Sequence, residues 1–159
     1  MTVGNFYFLD DQYFLDFPDP FLMRNKEVVS GVPHDRPCFF AFSESTSAVF
    51  WMIPFSSNVK KYRAVYNSKV ARKGKCDTLE FGEVLGYEKA FLIQNMCPIT
   101  DKYMKNEYLD SNAGIPVRLD GAFEKALIKK GKLVLALERR GVHLIFPDVL
   151  AIEKALLAT

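Results

Sequence analysis

Histidine and cysteine are scarce in this chain of 159 residues: His34 and His143 are the only imidazoles, and Cys38, Cys76 and Cys97 the only thiols. No CxxC pair occurs and the thiol count is odd, so reduced cysteines in a cytoplasmic setting are the simple expectation. Cys38 and Cys97 lie in apolar stretches (PCFFAF, QNMCPI), where cysteine behaves as a small hydrophobe. Two histidines supply no ligand set for zinc, and chemistry without metal or cofactor is expected; a carboxylate-held magnesium ion is the one metal left open. There is also no apolar run of roughly eighteen residues, which excludes a membrane-spanning helix. The start, MTVGNFYFLDDQYF, has no basic segment and turns acidic at once, so no secretory leader is expected. P-loop, GxGxxG, GxSxG and HExxH patterns are all missing.

What is present matches one soluble domain spanning 1–159. Hydrophobic residues make up 49% and charged residues 25%, which excludes disordered and low-complexity classes. A chain of this length buries roughly two-thirds of its unfolded surface and folds without staples. Fourteen Phe, seven Tyr and one Trp point to a core built from large rings.

The net charge of +2 hides an asymmetry. Seven of the 21 basic residues (Lys60, Lys61, Arg63, Lys69, Arg72, Lys73, Lys75) fall between Asn58 and Lys75, a segment with no acid, which leaves 14 against 19 acids elsewhere. Tyr62 and Tyr66 interleave with these cations, and aromatic faces between basic groups suit stacking on unpaired bases. Most charge runs are solvated loops. A run of uniform sign in an otherwise acidic chain points instead to a basic loop contacting nucleic acid or phosphate.

Asn5–Leu9 reads as a first strand, and a Pro18/Pro20-punctuated stretch follows. Residues 31–37 read as a loop. The runs Cys38–Phe42 and Ala48–Pro54, joined by SESTS, read as a hairpin or meander, and Lys89–Ile93 as a further strand. The last third is helical. Asp120 is a good N-cap for a helix reaching Arg140, with Gly141 as a C-terminal signal and Gly131 leaving two shorter helices as an alternative. A final helix restarts after Pro147-Asp148, with Val149, Ile152, Ala155 and Leu156 at helical spacing. Strands first and helices last imply an α+β fold: a small, highly curved antiparallel sheet or partly open barrel with C-terminal helices packed on it.

The segment MIPFSSNVKKY carries the strongest chemical suggestion. A strand ends near Pro54, two hydroxyls (Ser56, Ser57) stand at its tip, and two ammonium groups (Lys60, Lys61) follow. Hydroxyls and amides can bond phosphate oxygens while lysine neutralises charge developing on them. The plain alternative is a serine-rich turn whose hydroxyls cap local backbone. His34 can move protons and Arg36 can clamp a phosphate, or both can belong to a polar turn between Pro33 and Pro37. Trp51 reads as core, and His143 as a packed or capping residue. Asp10, Asp11, Asp16 and Asp19 match no calcium loop and read as a solvated acidic face.

The ordered motifs FYFLDDQYF, RPCFFAF, WMIPFSSNVKKY and AFLIQNMCPIT, with the leucine-rich helical tail, resemble the type III toxin–antitoxin endoribonucleases. The resemblance is to the ToxN/AbiQ/CptN group, nearest its CptN branch, and runs from about Phe6 to Leu157. It implies a partly open barrel related to MazF and Kid. It also implies metal-independent RNA cleavage leaving a 2′,3′-cyclic phosphate, and inhibition by a small repetitive pseudoknot RNA that the toxin processes and binds in a closed protein–RNA assembly. The family's hydroxyl–hydroxyl–lysine element falls on Ser56, Ser57 and Lys60, and its cation before the second strand on Arg36. The spacing to the lysine is longer than in the family, so Lys60 and Lys61 are interchangeable candidates. A tyrosine of the family has no counterpart in SGVPHDRP, where His34 is available in its place.

RNA can be cut by its own 2′-OH, so the protein needs no covalent nucleophile, only a base, charge stabilisation and help for the leaving 5′-oxygen. Lys60 or Lys61 is assigned to phosphate charge, Ser57 to a phosphate hydrogen bond or proton relay, and Ser56 and Arg36 to positioning. RNA contact is assigned to His34, Tyr62, Arg63, Tyr66, Lys69, Arg72, Lys73 and Lys75. The competing expectation is a non-catalytic RNA- or DNA-binding module using the 58–75 loop.

Overall fold

The computed structural model describes residues 1–23, 26–29, 31–44 and 47–158, with backbone alone at 26–29 and 32–33. Nine strands are described: β1 (Phe6–Leu9), β2 (Lys26–Val29), β3 (Val32–Asp35), β4 (Pro37–Ser43), β5 (Phe50–Ser56), β6 (Leu79–Val84), β7 (Tyr87–Leu92), β8 (Cys97–Ile99) and β9 (Met104–Glu107). Four helices accompany them: α1 (Asp11–Asp16), α2 (Val59–Lys73), α3 (Gly121–Arg139) and α4 (Val149–Leu157). The fold is α+β. Seven strands form an open antiparallel sheet in the order β6-β7-β5-β4-β1-β9, with β8 also on β5, and β2-β3 form a separate hairpin.

Strand β5 organises the sheet. It pairs with β4 along one edge, and along the other with β8 through Phe50–Met52 and with β7 through Phe55 and Ser56. From Trp51 to Ser56 it is buried, which explains why its sequence runs apolar without the alternation of a half-exposed strand. The β4–β5 pairing matches the hairpin expected from the sequence, with an irregular register between Phe40 and Phe42; the SESTS connection lies partly outside the described residues. Phe6, Phe39, Phe55 and Phe91 nest at centroid separations of 5.4–6.4 Å, mostly edge to face, the geometry that ring quadrupoles favour.

The C-terminal helices cover this core. Asp120 caps α3 by accepting the Phe123 N–H, and Gly141 (φ +92°) ends it: its N–H reaches Glu138 O and the Val142 N–H reaches Leu137 O. That paired geometry is the left-handed C-terminal motif. Gly131 does not split the helix. A Cβ there would stand 3.3 Å from Phe42 and 3.4 Å from Ile53, so glycine lets the helix approach the sheet closely. Asp148 caps α4.

Two segments differ from the sequence-based reading. Residues 58–75, expected as a basic loop, form α2, capped by Asn58 and ended by Gly74 at φ +79°. Tyr62, Val65, Tyr66 and Val70 make a narrow apolar stripe against Cys76, Leu79, Ala90 and Leu92, which the interleaved cations conceal in the sequence. Residues 31–37, expected as a loop, contain β3, so His34 and Asp35 stand on a strand. The N-terminal acids do local work. Asp10 caps α1, Asp16 accepts from Gln12 and Tyr103, and Asp19 accepts from the Phe21 and Asp148 N–H groups.

Tyr13, Cys38 and Cys97 are buried. The Tyr13 hydroxyl donates to Pro98 O at 2.7 Å. Burial makes all three groups weaker acids, with the Cys97 thiol pushed up to about 12. Ionisation is therefore harder in the native state than in the unfolded chain. The resulting stabilisation is complete below the ordinary thiol value of about 8.5 and is lost as pH rises beyond it through the phenol range near 10. The urea midpoint should fall steadily above about pH 8.5, and a flat or rising midpoint up to about pH 10.5 would contradict this packing. Gly131→Leu should lower stability by roughly 1–3 kcal/mol in urea unfolding, because the helix cannot retreat from the sheet without uncovering core.

Candidate functional site

At one end of the sheet a cleft of about 500 Å³ opens to solvent. Phe8 and Tyr108 line one side, packed edge to face at 5.6 Å. His34, Asp35 and Pro37 contribute from the β3–β4 junction, and Val84, Leu85 and Tyr87 from the tip of the β6–β7 hairpin. Phe55, Ser57 and Lys89 complete the lining. The cleft continues the aromatic core outward. Tyr87, Lys89 and Phe91 alternate onto one face of β7, so a buried ring, a lysine and an exposed ring follow in order.

The strand-to-helix handover fixes the serines. β5 ends at Ser56, and the chain turns at once into α2. Ser56 is buried, and its Oγ accepts the Asn58 N–H at 3.1 Å. This is the local capping alternative raised from the sequence. Ser57 is half-buried in the cleft, and its Oγ accepts from Lys89 Nζ at 2.7 Å. An ammonium and a hydroxyl at that separation form a compact donor pair for an anionic oxygen.

Lys60 and Lys61 are not among the residues lining the cleft; both are exposed in the first turn of α2. That turn has no acid. A helix N-terminus carries partial positive charge and ordinarily favours acids, so two lysines there raise the positive potential beside Ser57. The structure thus groups Ser57 with Lys89, which sequence reading had treated only as the start of a strand. The hydroxyl and the ammonium are thirty-two residues apart, and no short-range spacing signals the pairing.

The remaining residues expected to contact RNA divide clearly. Arg36 is buried, and its Nη1 donates to Phe55 O at 2.6 Å, holding the end of β5 from within. His34 is exposed on the cleft wall. Tyr62 is buried under α2 and Tyr66 packs edge to face on Phe81, so neither offers the free ring face expected of a stacking platform; both rings are needed to seat the helix. Arg63 lies 3.7 Å over the Phe81 ring and pairs with Glu88. Lys69 donates to Thr78 and Gln94, and Lys75 pairs with Asp77. Arg72 and Lys73 are exposed in the last turn of α2, where cations also complement the helix dipole.

Tyr108 and Tyr87 also line the cleft, and nothing in the sequence singles them out; Asp35, the acid beside His34 that suits a proton shuttle, lines it too. Burial, reinforced by Asp110, raises the Tyr108 phenol above its usual range, so it stays a neutral hydroxyl at physiological pH. Trp51 is fully buried, as its apolar setting suggests. His143 is exposed with its Nδ1 3.2 Å from Glu138, whose other oxygen accepts the Leu144 and Ile145 N–H groups.

Arg36→Ala should lower the urea-unfolding free energy by about 1–3 kcal/mol, because Phe55 O loses its partner at a buried position. An unchanged midpoint would show that this guanidinium does not hold the strand end. No family model matches the chain, and comparison with curated proteins likewise finds no match.

Proposed function

We propose that this chain is a metal-independent endoribonuclease toxin of the type III toxin–antitoxin kind. It cleaves RNA by attack of the 2′-OH and is restrained by a repetitive pseudoknot RNA. The observation that carries the reading is the 2.7 Å contact between Lys89 Nζ and Ser57 Oγ in an open cleft beside a lysine-bearing helix N-terminus. We take the open antiparallel sheet with its helical cover as a variant of the MazF/Kid barrel.

In this reading the scissile phosphate sits at Ser57 and Lys89. The 2′-oxygen forms a bond to phosphorus, the bond from phosphorus to the 5′-oxygen breaks, and a 2′,3′-cyclic phosphate remains. One proton leaves the 2′-OH and one joins the departing 5′-oxygen, so protons balance without a cofactor. Lys89 neutralises charge growing on the phosphate oxygens, and the Ser57 hydroxyl supplies a short hydrogen bond. His34 has the two ring nitrogens needed to accept or donate a proton, and it lines the same cleft. Lys60 and Lys61 attract the backbone from the helix end, and Arg72 and Lys73 extend that attraction along α2. Arg36 and Ser56 act as positioning residues by holding the strand end.

Purified protein with single-stranded RNA in EDTA should yield fragments ending in cyclic phosphate. Ser57→Ala and Lys89→Ala should each reduce the rate by about 10²–10³-fold while RNA binding survives. Lys60→Ala and Lys61→Ala should mainly weaken binding and flatten its salt dependence. Tight, salt-sensitive binding with intact RNA would favour the non-catalytic binding module instead, for which the exposed cations of α2 suffice.

A further inference from the structure

The cleft has a lip that neither phosphate binding nor cleavage explains. Residues Leu85 and Gly86 connect β6 to β7 as a two-residue loop, with φ of +51° and +82°. Left-handed backbone at both central positions is what the tightest hairpin connection requires, and Asn-Gly meets that requirement with least strain. Here the first position is leucine. It is the one non-glycine residue with positive φ among those described, and its side chain is 48% exposed. Leucine gains little from such a place: it is strained, half in water, and does not fill the core.

The neighbouring Tyr87 is 73% exposed, the highest value among the exposed large hydrophobic residues described. Both side chains line the same cleft as Ser57 and Lys89. An apolar branch and an aromatic ring thus stand beside a cationic donor pair, with Tyr108 and Phe8 also in the wall. A phosphate has no use for apolar walls. A nucleobase does, since every base presents a flat face that stacks on an aromatic ring.

We propose that the Leu85-Gly86-Tyr87 tip is a base-holding lip: it stacks the unpaired nucleobase adjoining the phosphate at Ser57 and Lys89, with Tyr87 as the platform and Leu85 as its edge. The inference rests on the endoribonuclease reading and deepens it, because it assigns the groups that select unpaired RNA. A base still paired in a duplex cannot offer its face to Tyr87. Strain at Leu85 then has a use, since the turn aims an apolar side chain that asparagine would replace with a polar one.

The test uses a single-stranded 2′-O-methyl oligoribonucleotide carrying 2-aminopurine, which cannot be cut through its 2′-oxygen and whose fluorescence reports stacking. With the wild-type protein the probe should bind and its fluorescence should be quenched. Tyr87→Ala should weaken binding by about 5- to 100-fold and remove the quench. Tyr87→Phe should keep both. Leu85→Asn should raise the melting temperature by relieving the turn while weakening probe binding several-fold. Wild-type affinity and quench in Tyr87→Ala would overturn the lip and leave cleavage of ordinary RNA to stand or fall by itself. A Leu85→Asn protein that is stabilised and binds as before would remove Leu85 from it. Absence of probe binding by the wild-type protein would overturn the lip as well, whereas failure to cut ordinary RNA despite quenched binding would overturn only the catalytic reading.

Discussion

Both edges of strand β5 are hydrogen-bonded to neighbours, and from Trp51 to Ser56 the strand is buried. A strand held this way cannot slide, because a one-residue slip would exchange its two buried faces and misplace every packed side chain. Its end is therefore a fixed point. Arg36 secures that point from inside by donating to Phe55 O, and the Asn58 N–H closes the turn on Ser56. Ser57 emerges from this fixed turn with little freedom, and β7, paired to the same strand end, brings Lys89 to it. The proposed phosphate site is a consequence of how one strand is clamped.

Charge is arranged around that point with economy. Much of the basic segment is already engaged: Arg63 with Glu88 and Phe81, Lys69 with Thr78 and Gln94, Lys75 with Asp77. The Arg63 and Lys69 contacts fasten α2 to the β6–β7 hairpin and its flanks. Lysines in the first turn of α2 run against the preference of a helix N-terminus for acids. Local disagreement of this kind is where functional demand is expected to override stability. The strained leucine at the hairpin tip is a second instance, and it borders the same cleft.

The core and the site share one aromatic system. Phe6, Phe39, Phe55 and Phe91 pack inside, while Phe8, Tyr108 and Tyr87 continue outward into the cleft wall. The high phenylalanine content thus serves two ends, and no boundary separates scaffold from surface along β7. Helix α3 covers Phe42, Ile53 and Met96, with Gly131 allowing close approach, and α4 packs on β8.

Much of this was legible in the chain itself. The paired apolar runs of β4 and β5, the cap Asp120, the helix restart after Pro147-Asp148, the terminator Gly141 and the buried setting of Trp51 all depend on short-range chemistry that neighbouring residues declare. Helix α2 was concealed because its apolar stripe is narrow and its cations suggest solvent. The strand at His34 was concealed by the prolines around it. The partner of Ser57 was beyond sequence reading altogether: Lys60 and Lys61 are near in the chain, but helix geometry carries them outside the cleft, while Lys89 arrives through strand pairing across thirty-two residues. Local sequence decided most of the strands and helices, α2 and β3 excepted, since backbone preference and capping act within a few residues. Only the tertiary structure decided which cation meets which hydroxyl, because that contact is made by the register of a sheet.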